Sequence, residues 1–189
     1  MENALIVSCT DKGTAFFTEI LNAAAIDQIT VLQSCAEARR LLMERDYDLI
    51  IINAPLRDES GESFARHIAA KGTSQVILVV KNEYFDEVSA VCENYGILTV
   101  SKPVNNTIFW SALALAKSSL NRMKRMQTEN AQLKQKIEDI RIIDRAKCIL
   151  ISYMNINEQE AHRFIEKQAM DMRSTKREIA EEILKTYES

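Results

Sequence analysis

Residues 48–61 read DLIIINAPLRDESG, in which four consecutive apolar residues lead to Asn53 and to a loop that contains Pro55 and Gly61. A short apolar run without polar alternation is typical of a strand that is buried on both faces, as in a parallel sheet. Proline and glycine end such a run, because they favour turns. This stretch therefore predicts a central strand of an α/β sheet, with Asn53 at its carboxyl end.

Three other apolar runs resemble it, at residues 4–7, 76–80 and 97–100, and a weaker one lies at residues 30–33. Segments with helical periodicity lie between them, at residues 12–25, 36–45, 61–70 and 85–95, and a fifth begins near Asn106. Strands that alternate with helices favour a doubly wound parallel sheet. We therefore predict an α/β domain with five parallel strands over residues 1–115.

The order of these landmarks, with DLIIIN before a loop with proline and glycine and with SKP at residues 101–103, resembles the receiver domain of response regulators. The resemblance implies a flavodoxin-like fold with its site at the carboxyl ends of the strands. In receivers, acidic residues after the first and third strands hold Mg²⁺, and the acid of the third strand accepts a phosphoryl group. Hard Mg²⁺ needs anionic oxygen ligands, and the transfer needs a carboxylate nucleophile.

The chain departs from the receiver pattern at most of these positions. Ser8 and Cys9 stand in place of the acidic pair, Asn53 in place of the phosphoacceptor, and Val80 in place of a hydroxyl residue, while Lys102 before proline is kept. A neutral amide can neither neutralise Mg²⁺ nor form an acyl phosphate. We therefore predict a pseudo-receiver with a degenerate phosphoacceptor site, which binds no metal and no cofactor and is not phosphorylated.

Three acidic residues lie in the neighbouring loops: Asp11, Asp58 and Glu59. They could approach the same edge of the sheet, but the sequence favours solvated loop acids or charges at helix N-termini. Lys102, which has no phosphoryl group to bind, is expected to pair with a loop carboxylate.

From about Ile108 the chain is strongly helical for some 35 residues without glycine or proline. A heptad pattern places Met123, Asn130 and Ile137 at positions a, and Met126, Leu133 and Ile140 at positions d. A single asparagine at an a position fixes the register and favours two parallel strands. We predict a parallel homodimer through a coiled coil at residues 116–141. The alternative is one amphipathic helix that packs on its own domain.

Residues 142–184 contain three amphipathic segments that are separated by helix caps. The first ends near Asn155, and Asn157 with Glu160 forms a capping-box pattern before the second. Ser174 or Thr175 precedes the third segment. The sequence thus predicts a small all-α module of three helices over residues 142–189.

This module resembles the ANTAR domain of bacterial transcription antiterminators in four segments: DRAKCIL at residues 144–150, NEQEA at 157–161, AMDMR at 169–173 and REIAEEIL at 177–184. Cys148 departs from the pattern, since the family usually has glycine there. The resemblance implies a dimer that presents two modules to paired stem-loops in an mRNA leader and prevents the terminator hairpin from forming. The basic residues expected to contact RNA are Arg145, Lys147, Arg163, Lys167, Arg173, Lys176 and Arg177.

Charge and composition exclude several other classes. The chain has a net charge of −3, and its positive character is concentrated in residues 116–140. No apolar run approaches the roughly 20 residues that a membrane helix needs, and the four cysteines lack metal-ligand spacing, so we expect reduced thiols in a cytoplasmic protein. No catalytic set and no helix-turn-helix signature is visible, which argues against an enzyme and against DNA as a partner.

Two questions stay open from the sequence. The neutral charge balance of residues 141–189 leaves room for a protein-interaction adaptor in signal transduction that does not bind RNA. Control could come from a ligand, from protein abundance or from a regulatory partner such as a sensor protein, and we favour a partner that masks the dimer or its RNA-binding face.

Overall fold

The computed structural model describes residues 1–187 of the chain. It divides into two compact units, Met1–Lys124 and Arg125–Ser189. One helix, α5, contributes residues to both units. Each unit has its own hydrophobic core, so each is described by itself below.

The first unit is built on a five-stranded parallel sheet with the order β2-β1-β3-β4-β5. Its strands are β1 (Asn3–Ser8), β2 (Gln28–Leu32), β3 (Leu49–Asn53), β4 (Gln75–Lys81) and β5 (Leu98–Lys102). Its helices are α1 (Asp11–Ala23), α2 (Cys35–Glu44), α3 (Glu62–Lys71), α4 (Phe85–Cys92) and the first part of α5 (Asn106–Met154). The predicted doubly wound fold is confirmed.

Several element boundaries differ from the predictions by one to three residues, and two of these differences are informative. Strand β2 begins at Gln28, two residues before the predicted run. It is an edge strand that pairs only with β1, and it has no fully buried position. Its first two residues, Gln28 and Ile29, alternate between polar and apolar and therefore do not form an apolar run. The helix predicted to reach Tyr95 ends at Cys92 and continues as a 3₁₀ turn, Glu93–Tyr95.

Alternate residues of the strands face two separate cores. Ile6, Ile51 and Ile77 pack with α1 and α5, where Phe17 and Phe109 are in ring contact at 5.0 Å. Their chain neighbours pack on the other face against α2, α3 and α4. Since both faces of the sheet are covered, the sequences of its central strands are continuous apolar runs. The register places Asn53 beside Ser8 at the carboxyl edge of the sheet.

Helix α5 stays attached to the first unit as far as Lys124. Leu120 is fully buried, and the Lys124 ammonium lies 2.7 Å from the Asp48 carboxylate. Asp48 also accepts the backbone N–H of Glu2 at 2.7 Å. Burial raises the pKa of Asp48, but the hydrogen bonds from Lys124 and Glu2 outweigh it and hold that pKa below its ordinary value. These contacts explain why the first unit extends along the helix.

The second unit consists of the remainder of α5, α6 (Glu158–Asp171) and α7 (Lys176–Tyr187). The predicted capping box at α6 is confirmed, because Asn157 and Glu160 exchange side-chain to backbone hydrogen bonds of 2.9 Å. Thr175 and Glu178 form a similar pair at α7. Small residues let the helices pack closely around the core, which contains Ala146, Leu150, Ala161, Ile165, Ala169, Ile179, Ala180 and Ile183.

Within residues 1–187, no helix combines the length and the apolar character that crossing a membrane requires.

Candidate functional site

The predicted degenerate phosphoacceptor site is closed by hydrogen bonds between neutral groups. Asn53 is only 4% exposed, and its Nδ2 donates to Ser8 Oγ at 2.9 Å and to Thr10 Oγ1 at 3.3 Å. The Asn53 Oδ1 atom is buried and has no protein partner among the described residues. An amide that binds two hydroxyls leaves this edge of the sheet without the negative charge that a hard cation requires.

Cys9 and Lys102 converge on the loop that follows β3. The Cys9 thiol donates to the carbonyl of Pro55 at 3.4 Å, and the Lys102 ammonium donates to the carbonyl of Ala54 at 2.5 Å. The prediction that Lys102 pairs with a carboxylate is therefore wrong, since it binds backbone instead. Burial lowers the pKa of Lys102. Val80, the fifth predicted residue of the site, lies in the hydrophobic core and offers no hydroxyl.

The two loop acids near this site have other partners. Asp58 accepts the backbone N–H groups of Cys35 and Ala36 at 3.2 and 2.9 Å, at the start of α2. Although burial opposes it, this bonding lowers the pKa of Asp58. Glu59 forms an ion pair with Arg39. Asp58 therefore acts as a charge at a helix N-terminus, which the sequence favoured.

Sequence reasoning missed Thr10 and Gly13, which complete the closed site. Thr10 caps α1 by accepting the N–H of Gly13 at 3.3 Å, and its hydroxyl also contacts Asn53. A Cβ atom at Gly13 would lie 2.3 Å from Asn53 Nδ2 and 2.8 Å from Thr10 Oγ1. A side chain at this position would therefore force Asn53 and Thr10 to shift. The glycine in the first turn of a predicted helix was the signal that could have shown this.

We expect Gly13→Ala to destabilise the first unit. Alanine is favoured over glycine in a helix by about 1 kcal/mol, but the contact with Asn53 forces a shift that costs about 1–3 kcal/mol. Combining it with Asn53→Ala should remove the part of that cost that comes from Asn53, whereas the contact with Thr10 Oγ1 at 2.8 Å stays. A double-mutant cycle of urea unfolding measures the coupling. Additive effects would contradict the close contact, and Lys12→Ala on the same helix is the control.

The predicted dimerisation residues form an exposed apolar stripe on α5. Met126, Leu133, Ile137 and Ile140 are 53–58% exposed, Asn130 is exposed and Met123 is half-buried. Side chains of this kind at heptad spacing leave a large apolar area in water. The stripe is thus available on the single chain as the seam of a coiled coil.

Three of the seven cations predicted to contact RNA are bound by carboxylates within the second unit. Lys147 Nζ lies 2.8 Å from Asp144 and 3.1 Å from Glu158, and these partners raise its pKa. Lys176 binds Glu166 at 2.5 Å. Arg177 binds Asp139 at 2.6 Å and Glu181 at 2.9 Å, so that it ties α7 to α5. Arg145 also makes an interaction and is therefore not an unpaired cation.

The remaining three, Arg163, Lys167 and Arg173, have no carboxylate partner among the described residues. Arg163 and Lys167 are exposed and four residues apart, so they share one face of α6. Arg173 is exposed at the turn after α6, where its φ is +52°. The structure thus separates the predicted cations into a paired set and an unpaired set.

Comparison with known proteins agrees with both units. The ANTAR domain profile matches residues 131–184. The transcriptional regulatory protein PdtaR of Mycobacterium tuberculosis is 26% identical over 139 residues, which cover 74% of this chain and 68% of that protein. The aliphatic amidase regulator of Pseudomonas aeruginosa is 28% identical over 123 residues, which cover 62% of this chain and 61% of that protein.

Solved structures support the fold of the first unit. The signal receiver domain of an HD domain-containing protein from Pseudomonas fluorescens superposes with a TM-score of 0.58 at 20% identity, over 66% of this chain and 92% of that one. The receiver domain of the response regulator TorR gives a TM-score of 0.54 at 22% identity, over 65% of this chain and 99% of that one. A receiver fold thus precedes a matched ANTAR domain, and this combination supports an ANTAR-domain response regulator.

Proposed function

We propose that this protein is an RNA-binding transcription antitermination regulator. As a dimer it binds paired hairpins in nascent mRNA leaders and prevents the competing terminator from forming. The observation that carries the proposal is the matched ANTAR segment, residues 131–184, which forms a three-helix module with its own core. The similar proteins named above are regulators of transcription or of an enzyme by their names.

The unpaired cations of α6 and the following turn supply the first contacts to RNA. Arg163, Lys167 and Arg173 are free to bind phosphates or loop bases without breaking an ion pair, whereas Lys147, Lys176 and Arg177 must first give up a carboxylate. Since residues 141–189 are neutral overall, binding depends on where these charges lie and not on net charge. The paired cations mainly position the helices.

Dimerisation follows from the exposed stripe at Met126, Leu133, Ile137 and Ile140. A parallel coiled coil would bury it and would bring two ANTAR modules to one end. Two linked modules gain effective concentration on an RNA with two adjacent hairpins. Because Asn53 cannot accept a phosphoryl group, control comes from a regulatory partner protein that masks the dimer or its RNA-binding face.

The first experiment is crosslinking of the tagged full-length chain to RNA in growing bacterial cells, followed by sequencing of the bound fragments. We expect enrichment of leader segments that carry two adjacent hairpins before a terminator. A chain truncated after residue 141 is the control. Equal recovery of such leaders by both chains would contradict the proposal and favour the protein-interaction adaptor.

An enriched leader then serves as the probe for a charge variant. Arg163→Gln with Lys167→Gln should weaken binding by roughly tenfold or more and reduce the salt slope of log K by about one to two, as expected when two phosphate contacts are lost. Lys12→Gln with Lys117→Gln removes the same charge from exposed sites of the first unit and should leave both quantities unchanged. Equal losses in the two variants would show that only net charge matters.

A further inference from the structure

We infer that the parallel dimer creates an RNA phosphate site between Lys136 of one chain and Arg141 of the second copy. The inference rests on the proposed function and extends it to a part of α5 outside the three-helix core. It begins with the heptad register of α5. With Asn130 and Ile137 at positions a, positions g are Glu129 and Lys136, and positions e are Lys134 and Arg141.

In a parallel coiled coil, each g residue lies opposite the following e residue of the partner helix. Glu129 therefore faces Lys134 of the second copy, and this pair attracts. Lys136 faces Arg141 of the second copy, and this pair repels. The twofold axis repeats both pairs, so the end of the coil nearest the ANTAR modules collects four cations.

Little in the single chain neutralises these cations. Lys136 is exposed and has no carboxylate partner in the part of the chain that the structure describes. Arg141 has Glu138 at 3.7 Å, but the two side chains are 74% and 53% exposed, so water screens the pair. Ile137 and Ile140, which lie between the cations along the seam, are more than half exposed, so a second helix can approach closely here.

The segment of α5 that carries Lys136 is tied to the ANTAR module. Asp139 lies one helical turn after Lys136, and its carboxylate binds the Arg177 guanidinium of α7 at 2.6 Å. Arg177 is therefore held close to the end of the seam. A phosphate of an RNA stem bound to the module would meet Lys136 and Arg141 of the two chains together. It would turn a repulsive pair into two charge-assisted contacts.

This arrangement gives Lys136 and its near neighbour Lys134 opposite roles. The two lysines lie in the same heptad, and replacing either by glutamate changes the charge equally. Lys136→Glu creates an attractive pair with Arg141, so the dimer should become about two- to tenfold tighter. Lys134→Glu creates a repulsive pair with Glu129, so the dimer should become weaker by a similar factor.

The test uses the full-length chain with each substitution. Sedimentation equilibrium without RNA gives the dimer dissociation constant. Titration with a crosslink-enriched leader, at protein concentrations where every variant is dimeric, gives the RNA affinity and its salt slope. We expect Lys136→Glu to tighten the dimer yet to weaken RNA binding about tenfold and to lower the salt slope by one or more. Lys134→Glu should weaken the dimer and keep the wild-type salt slope.

Four other results would each contradict one part of the inferred phosphate site. A weaker dimer for Lys136→Glu would exclude the parallel register, because in that register the substitution replaces a repulsive pair with Arg141 by an attractive one. Equal losses of RNA affinity for the two variants would exclude a specific phosphate site. If inorganic phosphate at matched ionic strength tightened the wild-type dimer as much as RNA does, the site would bind free anions instead. Failure of wild-type protein to bind any leader would overturn the proposed function itself.

Discussion

A chain that carries Leu133→Gln and Ile137→Gln is expected to sediment as a monomer and to bind a two-hairpin leader on the order of 100-fold more weakly than the wild-type chain. Both residues are more than half exposed on the single chain, so their replacement leaves no cavity in either unit. Glutamine is a good helix former, so α5 should persist. The loss of RNA affinity would therefore come from the missing coiled-coil contact and not from unfolding.

The expected loss of RNA affinity is large because the dimer joins two RNA-binding modules in one molecule. In a dimer, binding of the first hairpin holds the second module near the second hairpin, and this effective concentration raises the overall affinity by about 10² to 10⁴ without new contacts. A monomer loses that gain but keeps its affinity for a single hairpin. Titrations with one-hairpin and two-hairpin RNAs measure the two quantities separately.

Ala131→Gln is the matched control, because residue 131 is exposed on the same helix but lies outside the a and d positions. It should remain dimeric and bind the two-hairpin leader as the wild type does. A double variant that is monomeric yet binds the two-hairpin RNA with wild-type affinity would show that two modules are not needed.

The second large effect is expected at the degenerate phosphoacceptor site. Ser8→Asp, Cys9→Asp and Asn53→Asp together should make the thermal stability depend on Mg²⁺, with a rise in Tm on the order of 5 °C at saturating metal. Without metal, three carboxylates in place of Ser8, Cys9 and the buried Asn53 repel one another and destabilise the unit. Mg²⁺ relieves that repulsion because it prefers anionic oxygen ligands.

The wild-type chain should show no such response, because its Asn53 amide binds the Ser8 and Thr10 hydroxyls. Ser8→Asn with Cys9→Asn is the matched control, since asparagine has the size of aspartate without its charge. Incubation of wild-type protein with acetyl phosphate and Mg²⁺, followed by intact mass measurement, completes the test. A Mg²⁺-dependent phospho-adduct at this edge of the sheet would contradict the pseudo-receiver assignment.

The sequence alone predicted the parts of the fold that depend on local pattern. The buried run ending at Asn53 and the capping box of Asn157 and Glu160 rest on residues that lie next to one another, and the structure confirms both. The start of the edge strand β2 was misplaced by two residues, because its polar and apolar residues alternate and no continuous apolar run marks its beginning.

Contacts between distant residues could not be predicted in the same way. Lys102 binds the carbonyl of Ala54, 48 residues away, and Arg177 binds Asp139, 38 residues away. Such pairings depend on how helices and loops meet in space. The sequence proposed seven cations for RNA, and only the three-dimensional contacts distinguish the paired from the unpaired ones.

The close fit of Gly13 against Asn53 also bears on how this regulator can change over generations. An aspartate placed at position 53 alone would be a buried anion with no metal to bind, since Ser8 and Cys9 are neutral. That substitution would therefore cost stability before it gave any function. A change on an exposed surface of the protein carries no such cost, so it is the easier route to a new input.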